Sequence, residues 1–403
     1  MKRITIFFLL LYLLYSCADL LSPEDKAPVD MELSEYKTVT MSLPPLSFDG
    51  EESKTRINLD LGTLKYVWAE QDSVGIFPDQ GSQIYFSMAD GVGQSVATFD
   101  GGGWALKRGS DYYSYFPFTA DYYIDKKAIP ISYIGQKQNG NGDGSSAELG
   151  PYCFMVAKGV ADEATGDLMF TYERLQCPFM FVIPVEAGMY KGLDICAGEN
   201  VLAVSGTMNA LSLDKIINDA VYDDHLSVEL ESINFATAGT IVVTAVLPPF
   251  DIFGKQLTVN LIKSDGTTVT SSVFGKTYAL GKAYRIAPNF SVSPSSMEIS
   301  GNETTFQIVI TAAESCSYTI STDDDWLTIT DAASSGSAVV TIKAAKGEAK
   351  KRVGNIIVSE NVTYNGKTIT LQNKVEVVQD YIGLSVGIEG WEDSDNDYGG
   401  VVD

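Results

Sequence analysis

Apolar and polar residues alternate along most of this chain in short runs, separated by turn-forming Gly, Asp, Pro and Ser. The runs are rich in β-branched and aromatic residues, as in TVTMSL (38–43), QIYFSM (83–88) and YYSYFPF (112–118). A period of two places successive side chains on opposite faces of a strand, and frequent turns between such runs are typical of β-sandwiches. The pattern therefore predicts an all-β fold of tandem β-sandwiches, with no more than one short helical turn near residues 213–220.

The first residues of the chain follow a different pattern. Lys2 and Arg3 precede an apolar run, residues 4–15, which is too short to span a bilayer and is typical of a signal peptide. The segment then closes with Leu-Tyr-Ser-Cys at 14–17. As a whole it resembles a bacterial lipoprotein signal, in which the cysteine is lipidated. An ordinary secretory signal with an incidental cysteine is the alternative. We predict a signal peptide at 1–17, attachment to the membrane through a lipid on Cys17, and an acidic tether at 18–34.

The charge composition of the chain narrows the classes of molecule that it can bind. The 403 residues carry 28 basic and 52 acidic side chains, for a formal net charge of −24. Nucleic-acid binding requires a basic surface, so nucleic acid is excluded as a partner. A chain of this length is expected to form two or three domains. Cys153, Cys177, Cys196 and Cys316 share no metal-ligand spacing and most lie in apolar runs, so buried thiols are favoured over disulfides.

Several motifs between residues 35 and 289 occur in an order that resembles one known family. They are Trp68 before a strand-like SVGIF, the run Tyr-Phe-Pro at 115–117, Gln136 and Gln138 in IGQKQ, and GKAYRI at 281–286. This ordered set resembles the fimbrillin (pilin-like) lipoproteins of Bacteroidota. The resemblance implies two transthyretin-like sandwich halves, at 35–160 and 161–289, and a role in cell adhesion or fimbrial assembly with other fimbrial subunits.

The fimbrillin resemblance also implies a maturation step and a location. Pilins of this family are lipoprotein precursors that are cut after a basic residue in the first domain. The cut frees the first strand, and a neighbour's C-terminal strand then fills the groove. Arg56, in the polar stretch GEESKTR, best matches such a cut, and an uncut surface loop is the alternative. Acidic residues after Cys17 favour an outer-membrane location at the cell surface.

Residues 290–380 carry a second set of motifs. A Trp-Leu pair at 326–327, then Arg-x-Gly-x-Ile at 352–356, then a strand ending in Gln379 resemble the BACON domain in type and order. This resemblance implies an immunoglobulin-like sandwich, and the family's name proposes glycan binding. A folded domain after the last fimbrillin-like strand makes that strand a poor donor, which favours a terminal or accessory subunit over a repeating one.

Candidate residues for catalysis are few. The single histidine, His225, has no second imidazole with which to share a metal, so we interpret it as a loop residue. No nucleophile elbow, His-Glu-x-x-His or phosphate loop occurs. The tail at 381–403 is predicted to be acidic and disordered, because its alternating aspartates lack the remainder of a calcium loop. We therefore predict no catalytic residue, no metal and no cofactor.

Aromatic residues support a second hypothesis, in which the chain binds host or dietary glycans or mucin. Sugar rings stack on exposed aromatic faces. The candidates for such stacking are Tyr112, Tyr113, Tyr122, Tyr123 and Trp326. Packing into a core is the alternative for these residues, and Trp326 in particular is interpreted as mostly core. The leading hypothesis remains a non-enzymatic surface lipoprotein that acts as a fimbrillin-like adhesin or as a terminal or accessory fimbrial subunit.

Overall fold

The computed structural model describes residues 38–43, 47–48, 67–121, 124–138 and 147–382. Within these ranges the chain forms thirty β-strands and a short 3-10 helix, Ala147–Tyr152. No helix in the described ranges combines the length and apolar character needed to cross a membrane. The predicted all-β class is confirmed. The predicted helical turn near 213–220 is wrong, because residues 218–220 belong to a strand.

The strands are short, and many alternate buried and exposed positions. The first eleven are β1 (Val39–Ser42), β2 (Ser47–Phe48), β3 (Ser73–Pro78), β4 (Ile84–Asp90), β5 (Val96–Asp100), β6 (Asp111–Phe116), β7 (Ile129–Ser132), β8 (Gln136–Gln138), β9 (Met155–Val160), β10 (Met169–Thr171) and β11 (Glu173–Arg174). The next twelve are β12 (Cys177–Val185), β13 (Gly188–Cys196), β14 (Leu202–Met208), β15 (Asn218–Asp223), β16 (His225–Phe235), β17 (Gly239–Leu247), β18 (Phe250–Asp251), β19 (Gln256–Lys263), β20 (Thr268–Phe274), β21 (Thr277–Tyr278), β22 (Lys282–Ile286) and β23 (Phe290–Ser293). The last seven are β24 (Ser296–Ile299), β25 (Thr304–Ala312), β26 (Thr319–Thr322), β27 (Leu327–Asp331), β28 (Ala338–Ala344), β29 (Arg352–Tyr364) and β30 (Lys367–Gln379).

The chain divides into two compact units, and both are discontinuous in sequence. Among the described residues, unit 1 contains 38–43, 67–121, 124–126 and 156–172. Unit 2 contains 47–48, 127–138, 147–155 and 173–382. The domain boundaries expected at 160/161 and 289/290 do not coincide with this division and stay predictions.

Unit 1 is built on a sheet in which seven strands lie in the order β10-β1-β5-β4-β3-β6-β9. Trp68, which is only 1% exposed, lies at the centre of its core. The indole packs edge to face with Phe99, Phe116 and Tyr172, at ring-centroid distances of 5.0, 5.5 and 5.8 Å. This geometry is favoured because the positive edge of one ring meets the negative face of the other. The first fimbrillin-like motif therefore marks an aromatic core.

Gly75 follows Trp68 in the same motif and allows two strands to pack closely. It pairs with Tyr115 across β3 and β6, and a Cβ at position 75 would lie 2.0 Å from the Tyr115 ring. The Tyr115 hydroxyl in turn donates a hydrogen bond to Gln83 Oε1 at 2.5 Å. A larger residue at position 75 would displace this ring from the sheet.

Unit 2 contains a nine-stranded sheet in the order β27-β28-β25-β23-β20-β19-β13-β16-β8. It also contains four smaller sheets, β17-β12-β22-β2, β24-β30-β29-β26, β15-β14-β7 and β18-β21. The strand β12 lies between β17 and β22, and most of its side chains are buried on both faces. A strand buried on both faces has a nearly continuous apolar sequence, which accounts for the run CPFMFVIPV.

The two glutamines of the Gln-x-Gln motif form hydrogen bonds with the backbone of β17, along the edge of β17 that faces away from β12. Both glutamine side chains are 1% exposed. Gln136 donates to Val246 O at 2.7 Å and accepts from Val246 N at 2.9 Å. Gln138 donates to Val242 O at 3.2 Å and accepts from Thr244 N at 2.7 Å. The two amides thus bond the buried backbone groups that a further strand would otherwise pair with.

The immunoglobulin-like block after residue 290 shares the nine-stranded sheet. Its first strand, β23, pairs antiparallel with β20 on one edge and with β25 on the other. Val292, Ile308, Ile342, Ile356 and Val375 belong to its buried apolar core and are 0% exposed. These residues come from the large sheet and from the sheet β24-β30-β29-β26, as expected for a sandwich.

The long β29–β30 hairpin also contacts the preceding sandwich. Gln256 in β19 donates to Gln372 O at 2.8 Å and accepts from Gln372 N at 2.7 Å. Tyr364, at the tip of the hairpin, packs on Phe274 at 5.5 Å between centroids, and Lys276 Nζ lies 4.4 Å from the Tyr364 ring centroid. A shared sheet and a docked hairpin therefore join the immunoglobulin-like block to the rest of unit 2.

Candidate functional site

Strand β1 occupies a slot inside the sheet of unit 1. It pairs parallel with β10 on one edge and antiparallel with β5 on the other. Val39 and Met41 point inward and are 0% exposed, while Thr40 N donates to Leu168 O at 3.0 Å. Removing β1 would leave unpaired backbone groups on both sides of an apolar groove, and such groups are costly when they are shielded from water.

Met41 connects this slot to the aromatic core. The Tyr172 hydroxyl lies 3.4 Å from Met41 Sδ and 2.5 Å from Ser114 Oγ, and all three side chains are buried or nearly so. Burial raises the pKa of Tyr172 well above its usual range, so the phenol stays neutral at any physiological pH. The floor of the slot is therefore a neutral surface, suited to apolar side chains.

Several residues that the sequence singled out lie outside the described residues. They are the predicted lipidation site Cys17, the predicted cleavage site Arg56, and the aromatic candidates Tyr122 and Tyr123. Most of the predicted tail, residues 383–403, lies outside them as well. The structure thus describes the strand that cleavage at Arg56 would separate from the chain, but not the cleavage site itself.

The end of the fimbrillin-like region is a strand paired on both edges. The GKAYRI motif forms β22, which pairs parallel with β12 on one edge and with β2 on the other, and the chain then enters β23. Phe290 and Val292 of β23 are 2% and 0% exposed. Because β20 and β25 occupy its two edges, β23 cannot pair with another subunit without leaving its own sheet.

Tyr112 and Tyr113 point to opposite faces of β6. Tyr112 is 4% exposed, and its hydroxyl accepts a hydrogen bond from Lys107 N at 2.7 Å. Burial raises the pKa of Tyr112 above its ordinary value. Tyr113 is half-buried, with Lys158 Nζ 5.4 Å from its ring centroid. Of the predicted stacking residues in the described part of the chain, only Tyr113 offers an accessible ring.

Trp326 is packed inside the protein and does not present its ring for stacking against a sugar. It is 8% exposed, and the Arg352 guanidinium lies over its ring at 4.3 Å from the centroid. Arg352 Nε donates to Gln379 Oε1 at 2.7 Å, and Gln379 Nε2 donates to Ala345 O at 2.9 Å. At Gly354, a Cβ would lie 2.7 Å from the Trp326 ring. The BACON-like motif residues therefore form one packed cluster, which leaves no ring face for a sugar.

His225 begins strand β16, whereas the sequence placed it in a loop. Its Nδ1 lies 3.0 Å from Asp223 Oδ1 and 2.9 Å from Asp224 Oδ1, and all three side chains are about half exposed. The hydrogen bond to Asp224 is the main cause that raises the pKa of His225 above its ordinary value. The same bond lowers the pKa of Asp224. Sequence reasoning considered only a second histidine as a metal partner and so missed the two carboxylates.

A cleft of about 370 Å³ opens beside His225 in unit 2. Its walls carry both apolar and acidic side chains. The lining residues are Ile134, Gly135, Gln136, Val204, Asp223, His225, Leu226, Ser227 and Glu229. The cleft is large enough for a small ligand or for several water molecules. Four of its lining residues, His225 and the first three of the motif IGQKQ, had been singled out in the sequence, although not as parts of one cleft.

The four cysteines of the described residues form no disulfide. Cys153, Cys177 and Cys316 are buried, and Cys196 is half-buried. Burial raises the pKa of Cys177 to about 12, and it raises the pKa values of Cys196 and Cys316 to about 11. These thiols are therefore protonated and unreactive near neutral pH, because the thiolate is the nucleophilic form.

No protein-family model and no curated protein matches this sequence. Among solved structures, a candidate cell adhesion protein from Bacteroides ovatus is similar over 62% of this chain and 92% of its own, at 11% identity and a TM-score of 0.42. A C-terminally truncated tip fimbrial protein from Porphyromonas gingivalis covers 75% of this chain and 99% of its own, at 9% identity and a TM-score of 0.30. A xyloglucanase from Bacteroides ovatus covers 23% and 19%, at 18% identity and a TM-score of 0.19. None of the three TM-scores reaches 0.5, so these similarities do not by themselves assign a function.

Proposed function

We propose that this chain is a non-enzymatic lipoprotein, anchored to the outer membrane through Cys17, that acts at the cell surface in adhesion as a terminal or accessory fimbrial subunit. The observation that carries the proposal is that the last fimbrillin-like strand, β22, pairs with β12 and β2, and that the chain then continues into β23, which is paired on both edges within the nine-stranded sheet. A chain whose last fimbrillin-like strand continues into its own sheet cannot donate that strand to a neighbour. Such a chain can still accept a strand that a neighbouring subunit donates.

The slot of β1 supports this acceptor role. Cleavage at Arg56 would separate β1 and β2 from the rest of the chain. The released segment would then be held by the pairing of β1 with β5 and β10 and by the short pairing of β2 with β22. The occupant of the slot must be extended, with small or apolar side chains at every second position, because Val39 and Met41 fill the inward positions. A donor strand from another fimbrial subunit meets these requirements.

Strand exchange on the purified protein tests the acceptor role. An arginine-specific protease, which does not cut at the neighbouring Lys54, is applied to wild type and to an Arg56→Ala variant, and a fluorescent peptide spanning residues 36–45 is added to each. We expect the cut wild type to take up the peptide, the uncut variant to exclude it, and neither protein to form ladders of oligomers. Ladders would identify a repeating subunit, and exclusion of the peptide by the cut protein would contradict strand acceptance.

The anchor and the location are tested on intact cells. Metabolic labelling with palmitate is expected to mark the wild-type chain and to leave a Cys17→Ala variant unlabelled. Protease added outside the cells is expected to degrade the chain while a periplasmic marker stays intact. A wild-type chain that carries no palmitate, or one protected together with the marker, would contradict the proposed anchor or location respectively.

Glycan binding is the second candidate, and the accessible ring of Tyr113 is the observation that favours it. Retention on a mucin or glycan array that is lost in Tyr113→Ala, but kept in Tyr85→Ala, would support it. Tyr85 is a suitable control because it is 50% exposed on the same sheet. Equal retention by both variants would remove Tyr113 from consideration.

A further inference from the structure

Three donor atoms of different kinds converge near the start of β16. They are the imidazole Nδ1 of His225 and one carboxylate oxygen each from Asp223 and Asp224, all within 4.8 Å of one another. The imidazole nitrogen is the common neighbour, at 3.0 and 2.9 Å from the two oxygens. Because these side chains are about half exposed, an ion from solution can reach all three atoms without opening the fold.

The cleft beside His225 is a separate feature that adds space for further ligands. Asp223 and His225 form part of its wall, and its volume of about 370 Å³ extends from them toward Ser227 and Glu229. A protein site that supplies three ligands needs room for water or substrate at the remaining coordination positions. The cleft provides that room beside Asp223 and His225.

The donor chemistry distinguishes between classes of metal. Calcium and magnesium prefer sites made entirely of oxygen. Imidazole nitrogen, carboxylate oxygen and thiolate sulfur are instead the ligands of zinc and of similar divalent transition metals. The observed set contains one imidazole nitrogen and two carboxylate oxygens, which matches the second class.

We propose that Asp223, Asp224 and His225 bind a divalent transition-metal ion of the zinc class at the mouth of the cleft. The sequence predicted no metal site, so this inference reverses that expectation. It is independent of the proposed adhesive function. On binding, the ion takes the position of the proton on the imidazole Nδ1, which is released to solvent.

Zinc affinity of the purified full-length chain tests the three-ligand core. In competition with a chromophoric zinc chelator, we expect His225→Gln and Asp224→Asn each to weaken binding by about tenfold or more. The matched control is Asp214→Asn, an exposed aspartate in the β14–β15 connection outside the cluster, which should leave affinity unchanged. Circular dichroism of each variant checks that the strands remain. Equal zinc affinity in wild type and in both cluster variants would overturn the site.

Competition with calcium tests the metal class. We expect calcium at the same concentration to leave zinc binding unchanged, because calcium prefers sites made entirely of oxygen. Calcium that competes with zinc at equal concentration would overturn the assignment to the zinc class.

Discussion

Trp68 in unit 1 and Trp326 in the immunoglobulin-like block are both motif tryptophans, but different forces hold them. Trp68 is 1% exposed and meets three aromatic rings edge to face. Trp326 is 8% exposed and is covered by the guanidinium of Arg352, which in turn bonds to Gln379. The core around Trp68 depends on buried apolar area. The packing of Trp326 depends on the Arg352 guanidinium above its ring, which the Gln379 amide holds in place.

This difference shows that a motif tryptophan does not indicate one kind of stabilisation. Burial of aromatic surface is non-directional and contributes in proportion to the area removed from water. A cation over a ring and a charge-assisted hydrogen bond depend on geometry, so a chemically conservative change is enough to remove them. The two regions should therefore respond differently to substitution.

The largest effect is expected for Trp68→Ala. Loss of the indole leaves a cavity among Phe99, Phe116 and Tyr172, and the free energy of unfolding should fall by about 4 kcal/mol. Urea denaturation followed by circular dichroism measures it. Trp104→Ala is the control, since Trp104 is 59% exposed and its loss should change little. Equal losses in the two variants would show that Trp68 does not organise the core.

Removing the hydrogen bonds between Gln136 and Val246 in unit 2 should give the next largest loss in the free energy of unfolding. Gln136→Ala removes both hydrogen bonds to Val246 and leaves a buried N–H and C=O unpaired, at a cost of about 2 kcal/mol. The same denaturation experiment measures the change. Lys137→Ala, next to it on β8 and exposed, is the control. If Gln136→Ala unfolds at the wild-type urea concentration, the glutamine does not act as a substitute for a strand.

Arg352→Lys tests the immunoglobulin-like block with a smaller change. Lysine keeps the charge but loses the planar group that stacks on Trp326 and bonds to Gln379, so stability should fall by about 1 kcal/mol. Trp326 fluorescence reports the local change. Arg285→Lys, at an exposed position, should have no effect. A wild-type stability in Arg352→Lys would mean that Trp326 is held by apolar packing, as Trp68 is.

The smallest effect on the protein is expected in a test of thiol reactivity, because alkylation at low extent does not alter the fold. With their pKa values raised to about 12 and about 11, Cys177 and Cys316 are protonated at pH 8, and labelling by iodoacetamide should be slow. The rate should rise as the pH approaches 11, and Cys316 should react first. Mass spectrometry after labelling measures this order. A cysteine that stays unlabelled in denaturant without reductant would indicate a disulfide instead.

Local periodicity determined much of the fold. The alternation in QIYFSM predicts a strand with one buried face, and β4 shows it, with Ile84 and Phe86 buried on either side of the exposed Tyr85. The continuous apolar run of β12 likewise predicts a strand covered on both faces. The order of motifs located the residues that hold each core, Trp68 and Trp326 among them. These features depend on neighbouring residues, so the sequence alone carries them.

Only the tertiary structure decided which faces and edges are covered. Tyr112 and Tyr113 look alike in sequence, yet Tyr112 is buried with its hydroxyl bonded to Lys107 N, whereas Tyr113 on the opposite face of β6 is accessible. The bonds of Gln136 to Val246 join residues 110 positions apart. Strand β23 is paired on both edges by strands that belong to different parts of the chain. Burial and pairing depend on contacts between distant residues, and a period of two does not specify which distant residue covers a given face.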